Sequence, residues 1–277
     1  MVRESFAPRE RLTVSQWAEK YRTVVSGDVR GPWRNDRTPY LRGVMDAYHE
    51  DGVRYITIKG GSQTGKTQAV WNTLFFHTDR AGGTVMYVLP DADSAHEQNR
   101  FRILPNVRAC TPLAARLSPR THDVQGASVR FNNADWLYRG AHSEHKIESF
   151  DAGLVIVDEV DRCPDETCHL AKQRTKTIAD AKVIMCGKPG LKGQGVDREY
   201  DDSDRRVYLV PCPACGVYHE RTMALLRWHG RRRDGAEAWD SRDLGVSPGV
   251  AHETACTKCP NPACRSRIGP EMNLWQL

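Results

Sequence analysis

Read for the spacing of its apolar and polar positions, the chain alternates short β-branched runs with longer helical patterns. Tyr55-Ile56-Thr57-Ile58 is the first strand-like run, and a helix is expected over 66–80, where Ala69, Val70, Leu74 and Phe75 recur at helical spacing. Thr84 to Leu89, bounded by Gly82-Gly83 and Pro90, predicts a second buried strand. The series continues with helical spacing over 93–104, short strands at 128–131 and 136–139, and the fully apolar run Leu154-Val155-Ile156-Val157. A polar helix between Asp165 and Thr177 and a strand over 182–186 close it. Upstream, Thr13-Val14-Ser15-Gln16 is spaced like a capping box ahead of Trp17, Ala18 and Tyr21. Thr38-Pro39 supplies the cap and first turn of a further helix ending near Gly52. Strands alternating with helices predict an α/β domain with a mostly parallel sheet covered by helices.

Two stretches give this frame a chemistry. After the first strand comes Gly60-Gly61-Ser62-Gln63-Thr64-Gly65-Lys66-Thr67, the spacing of a phosphate-binding loop. Its glycines let successive backbone N–H groups turn toward phosphate, Lys66 reaches the β- and γ-phosphates, and the Thr67 hydroxyl suits Mg2+. A helix starting near Lys66 adds its positive end. The second stretch is the apolar run that delivers Asp158 and Glu159 at the carboxyl edge of the sheet, where ligands of open α/β sheets bind. Asp158 is the candidate for the Mg2+ shell and Glu159 for orienting and deprotonating the attacking water. Arg139, Arg102 and Arg100 are candidates for placing positive charge on the transition state, with Arg139 first. The expected activity is ATP hydrolysis. Tyr40 and Tyr48, just ahead of the loop, are equally compatible with an adenine contact and with packing.

Composition changes the picture mainly at the C-terminal end. Lys+Arg 40 against Asp+Glu 35 gives a net charge of +5, which permits nucleic-acid contact without requiring it. The 277 residues hold nine cysteines and no apolar run of membrane-spanning length, so a soluble protein of a reducing compartment is expected. Cys212-Pro-Ala-Cys215 and Cys256-Thr-Lys-Cys259 form two C-x-x-C pairs, the arrangement of a thiolate Zn2+ site. Cys264 could replace Cys259, and His219 or His252 could enter the set. Cys110, Cys163, Cys168 and Cys186 are scattered and read as buried packing residues. The run Arg231-Arg232-Arg233, near Trp228 and Trp239, reads as a solvated loop, with a nucleic-acid backbone contact as the other reading. The organisation expected is a helical segment over 1–52, a phosphate-loop NTPase core of RecA-like type over 53–206, and a small zinc-ribbon-like module over 207–277.

The order WAEKYR, GPWRNDRTPYLRGVMDAY, GSQTGKT, YVLPDADSA, RFRILP, LVIVDEVDR and DREYDDSDRRVYLVPCPACG resembles the large terminase subunits of tailed bacteriophages, in the GpA-like branch. The likeness runs over nearly the whole chain, and the cysteine knuckle after SDRRVYLVP is its most discriminating part. It implies an ATP-driven motor that packages double-stranded viral DNA into a procapsid, as a homo-oligomeric ring on the portal, with a small terminase subunit as partner, in the host cell cytoplasm. The family's loop lysine and threonine fall on Lys66 and Thr67, and its acidic pair on Asp158 and Glu159. Two departures stand out. Where relatives carry a Ser-Thr-Pro-like segment after the fourth strand, this chain has Cys186-Gly187-Lys188-Pro189, and relatives continue into a nuclease domain for which residues 212–277 leave no room. No nuclease activity is therefore expected of these 277 residues. A helicase-like, DNA-dependent ATPase is the alternative reading.

Overall fold

The computed structural model describes residues 10–27, 29–222, 225–227, 230–231, 237–238, 256–264 and 266–268. Two compact units divide between Arg205 and Arg206.

The first unit is built on a seven-stranded sheet. Its strands are β1 (Tyr55–Lys59), β2 (Gly83–Leu89), β3 (Val124–Gln125), β4 (Ser128–Arg130), β5 (Ala134–Gly140), β6 (Leu154–Asp158) and β7 (Lys182–Gly187), in the spatial order β1-β7-β6-β2-β5-β4-β3. The neighbours β1, β7, β6, β2 and β5 run parallel, whereas β4 pairs antiparallel to β5 and β3 antiparallel to β4 along the far edge. The sheet is therefore mostly parallel, as expected, with an antiparallel hairpin that the strand–helix alternation does not foretell.

Residues of one strand alternate between two cores because successive side chains point to opposite faces. Leu154 and Ile156 of β6, Val85 and Tyr87 of β2, and Ile184 and Cys186 of β7 belong to one apolar cluster. Val155, Val157, Met86, Val88, Val183 and Met185 belong to the other. The first face is covered by α1 (Val14–Tyr21), α2 (Tyr40–Asp46) and α3 (Lys66–Arg80). It also carries α4 (Ala92–Gln98), α5 (Leu104–Arg108) and α6 (Thr111–Ala114). The second is covered by α7 (Glu144–Glu148), α8 (Thr167–Gln173) and α9 (Gly195–Asp201).

Local chemistry sets several boundaries. Thr13 and Gln16 cap each other's backbone reciprocally at the start of α1, as their spacing predicts. The helix expected over 93–104 is divided: α4 gives way to a π-helical turn over Asn99–Ile103, and α5 restarts with Pro105 in its first turn. Proline has no N–H to donate backward, so it is tolerated where a helix begins and interrupts one already running. Helix α3 is buried from Ala69 to Asp79 because α1 and α2 pack over it from outside the sheet. No helix among the described residues is long and apolar enough to cross a membrane.

The second unit is described only in part. The hairpin β8 (Leu209–Pro211) with β9 (Tyr218–Glu220) precedes a three-stranded antiparallel sheet of β10 (Leu226–Arg227), β11 (Cys256–Lys258) and β12 (Arg267–Ile268). The expectations placed on Trp228, Arg232, Arg233, Trp239 and His252 lie outside the described residues, as does the side chain of Arg231.

Candidate nucleotide site

The glycine-rich loop leaves the carboxyl end of β1 and enters α3 at Lys66. Gly65 sits at φ 79°, and a Cβ there would also press against Leu41 at 3.1 Å, so the position requires glycine on two grounds. The loop is tied down locally. Tyr40 donates its hydroxyl to the Thr64 carbonyl at 2.8 Å, and the Thr64 hydroxyl donates to the Gly61 carbonyl at 2.9 Å. Lys66 Nζ donates to the same Gly61 carbonyl at 2.5 Å, which bends its ammonium over the loop. Tyr48, by contrast, is engaged away from the loop: its hydroxyl lies 2.7 Å from His77 Nδ1.

Strand β7 separates the loop strand from the acidic strand. In register, Asp158 pairs with Cys186 and Cys186 with Ile58, so two strand spacings, about 10 Å, lie between β1 and β6 at this edge. The Asp158 carboxylate is 3% exposed and accepts three hydrogen bonds. Tyr87 donates its hydroxyl to Oδ2 at 2.8 Å, Cys186 its thiol to Oδ1 at 2.8 Å, and the Glu159 amide donates to Oδ1 at 3.0 Å. Trp71 Nε1 donates in turn to the Tyr87 hydroxyl at 3.1 Å. Burial, reinforced by the Asp158 charge, pushes the Tyr87 phenol and the Cys186 thiol well above their usual ranges, so both stay protonated donors.

Glu159 adopts a left-handed conformation, φ 56° and ψ 45°, that residues other than glycine rarely take. Its side chain is half exposed and accepts from Arg162 Nη1 at 2.9 Å. Lys66, Thr67, Asp158 and Glu159 thus lie at one edge of the sheet. The Arg139 guanidinium is engaged with backbone carbonyls. Arg139 is near the end of β5, two strands beyond β6, and its guanidinium donates to the Tyr138 carbonyl at 2.9 Å and the Lys146 carbonyl at 3.3 Å. Arg100 and Arg102 follow α4 on the π-helical turn, with guanidinium groups over the rings of Phe101 and Trp71. The arginine in contact with the acidic pair is Arg162, which sequence reading passed over. So were Tyr87, Trp71 and the role of Cys186, which does more than pack.

In the second unit, Cys212, Cys215, Cys259 and Cys264 converge, with all four sulfurs within 4.8 Å of one another. Cys212 and Cys264 are 3.9 Å apart and Cys215 and Cys259 3.8 Å, close to the ~3.8 Å edge of a thiolate tetrahedron around zinc. Cys256 is not a member; its expected place is taken by Cys264. The reason is the strand. Cys256 begins β11, and three extended residues carry the chain about 10 Å to Cys259 while reversing the face it presents. The turn after Cys259, closed by Cys264 N donating to Asn261 O at 3.1 Å, folds the last sulfur back instead. At the other corner, Gly216 at φ 72° and the bond from Gly216 N to Cys212 O at 2.7 Å form the knuckle of Cys212 and Cys215. Ser266 Oγ lies 3.3 Å from Cys212 Sγ and 3.1 Å from Cys264 Sγ.

The family model described as "Phage terminase large subunit gpA, ATPase domain" matches residues 27–277. The large terminase subunit of Enterobacteria phage P21 is 22% identical over 218 residues, which is 74% of this chain and 34% of that protein. The chain thus spans about a third of the length of that relative. Among solved structures, the large terminase of bacteriophage HK97 superimposes with a TM-score of 0.53 at 12% identity, covering 69% of this chain and 40% of that one, a likeness of fold. The large terminase ATPase domain of Thermus phage P74-26 matches with a TM-score of 0.47 and 15% identity over 68% of this chain and 80% of that one.

Proposed function

The chain belongs to the family of phage terminase large subunit gpA ATPase domains, and from that premise we propose that it hydrolyses ATP to drive double-stranded DNA into a procapsid. The observation that carries the catalytic part is the convergence of the Gly60–Thr67 loop and the Asp158–Glu159 pair on one sheet edge, with one strand, β7, between them.

In this reading the backbone N–H groups from Gly61 to Thr67, at the positive end of α3, receive the phosphates. Lys66 leaves the Gly61 carbonyl to neutralise the β- and γ-phosphates. Thr67 and Asp158 are the residues that would hold Mg2+, and their chemistry fits it: a hydroxyl and a buried carboxylate with no cation paired to it among the described residues. Held there, Mg2+ would supply charge neutralisation during phosphoryl transfer. Glu159, projected from the sheet edge by its left-handed backbone, orients the attacking water and takes its proton. Arg162, paired to Glu159, is a second cation beside that step, in addition to Lys66.

The four-sulfur cluster of Cys212, Cys215, Cys259 and Cys264 binds a structural Zn2+ in this proposal, which holds the second unit together and takes no part in hydrolysis. The proposed partners are those of a packaging motor: double-stranded DNA, a small terminase subunit, and a portal on which copies of the chain form a ring in the host cytoplasm.

ATP turnover, with and without double-stranded DNA, tests the reading on wild type, Lys66→Ala and Glu159→Gln. DNA-stimulated turnover is expected for wild type. Glu159→Gln should lower it about 10²- to 10⁴-fold while still binding ATP, and Lys66→Ala should lose binding and turnover together. Undiminished turnover in either variant would refute the assignment.

A further inference from the structure

The Asp158 carboxylate has a hydrogen-bond arrangement that packing alone does not call for. It is 3% exposed, and no lysine or arginine forms an ion pair with it among the described residues. A buried carboxylate without a cation is unfavourable by several kcal/mol unless donors surround it. A carboxylate offers about four acceptor sites, two on each oxygen. Oδ1 has both filled, by the Cys186 thiol at 2.8 Å and the Glu159 amide at 3.0 Å. Oδ2 has one filled, by the Tyr87 hydroxyl at 2.8 Å. Counting donors therefore leaves one acceptor site, and it is on Oδ2.

The donors are themselves held. Tyr87 is 1% exposed, lies on the sheet face that packs against α3, and receives the indole N–H of Trp71 at 3.1 Å. Trp71 belongs to the helix that begins at Lys66, so the loop's own helix fixes the phenol that fixes the carboxylate. Cys186 is fully buried and in register with Asp158 on the neighbouring strand.

We propose that Tyr87 and Cys186 are positioning residues which clamp the Asp158 carboxylate so that the remaining lone pair of Oδ2 is the one presented to the nucleotide's divalent cation. This rests on the reading of Asp158 as a Mg2+-holding residue given above. The thiol of Cys186 is then the donor that the end of β7 brings to Asp158.

The test uses the full chain and equilibrium binding of a fluorescent ADP analogue titrated with Mg2+, a readout independent of turnover. Tyr87→Phe should leave Mg2+-free nucleotide affinity within about twofold of wild type and weaken apparent Mg2+ affinity about 10- to 100-fold, the range seen when groups that orient metal ligands are removed. Cys186→Ala should weaken it in the same sense, and Cys186→Ser, which keeps a donor, should restore it. Should Tyr87→Phe not fold, the Cys186 pair decides. Equal Mg2+ affinity in the alanine and serine variants, or wild-type Mg2+ affinity in folded Tyr87→Phe, would overturn the proposal. A wild-type protein that binds the analogue with no Mg2+ dependence at all would instead remove the metal role of Asp158 on which it rests.

Discussion

Glu159 is held at φ 56° and ψ 45°, where a Cβ meets the following backbone and the conformation is unfavourable by about 1–2 kcal/mol for any residue but glycine. The side chain recovers little of this, because its partner Arg162 is 73% exposed and the pair is worth at most about 1 kcal/mol. Replacing Glu159 with alanine removes the pair and keeps the strain. Replacing it with glycine removes both, against an unfolded-state entropy term of about 0.5–1 kcal/mol. The difference predicts that Glu159→Gly is more stable than Glu159→Ala by about 0.5–1 kcal/mol, the reverse of the order in an ordinary helix or strand. For a unit of this size that is a Tm higher by about 1–4 °C. Thermal unfolding of the two variants without nucleotide measures it, and ATP turnover on the same samples should be lost in both. A Tm for the alanine variant equal to or above that of the glycine variant would show that the backbone at 159 is not strained.

Further outcomes follow from the rest of the molecule. Cys264→Ser should abolish stoichiometric zinc in protein refolded with the metal, while Cys256→Ser should retain it, as read by metal analysis; the opposite pattern would restore the C-x-x-C pair as ligands. Burial pushes the His77 imidazole from 6.5 down to about 4. The unfolded chain therefore binds a proton that the folded chain refuses, and stability should fall as pH drops from about 6.5 to 4, by up to about 3 kcal/mol. His77→Gln should flatten that part of the denaturation profile, and an unchanged slope would refute the assignment. Arg139→Ala should leave basal turnover of the isolated chain within about twofold of wild type, because its guanidinium is spent on the Tyr138 and Lys146 carbonyls; a hundredfold loss would place Arg139 at the reaction after all.

What the sequence disclosed and what it hid divide along a physical line. Strands such as Leu154–Asp158 are visible because burial on both faces leaves only apolar residues, and the phosphate loop is visible because its glycines answer a backbone requirement. The antiparallel edge of β3 and β4 is not, since two- and three-residue strands carry no periodicity. The partners of Asp158 depend on register. Tyr87 pairs with Ile156, so two-residue alternation puts it on the face of Asp158, but nothing local tells that β2 and β6 are neighbours. Arg139 shows a different limit: sheet order puts it as far from β6 as the loop strand is on the other side, and what distinguishes it, its guanidinium bonded to the Tyr138 and Lys146 carbonyls, is not written in the sequence. In the cysteine tail the ladder of β11 decided membership, and a C-x-x-C spacing does not record whether its residues are extended or turned.

The packing of α1 and α2 over α3 also bears on how the molecule can be cut. Val14, Trp17, Leu41 and Met45 share one core with Val70, Leu74 and Phe75, and the Tyr40 hydroxyl braces the phosphate loop itself. A fragment started at the first strand of the sheet, as motif boundaries invite, would lay bare the outer flank of the helix that delivers Lys66. The glycine-rich loop would then stand on an apolar surface prone to self-association, so a fragment meant to keep this unit folded has to begin upstream of Thr13.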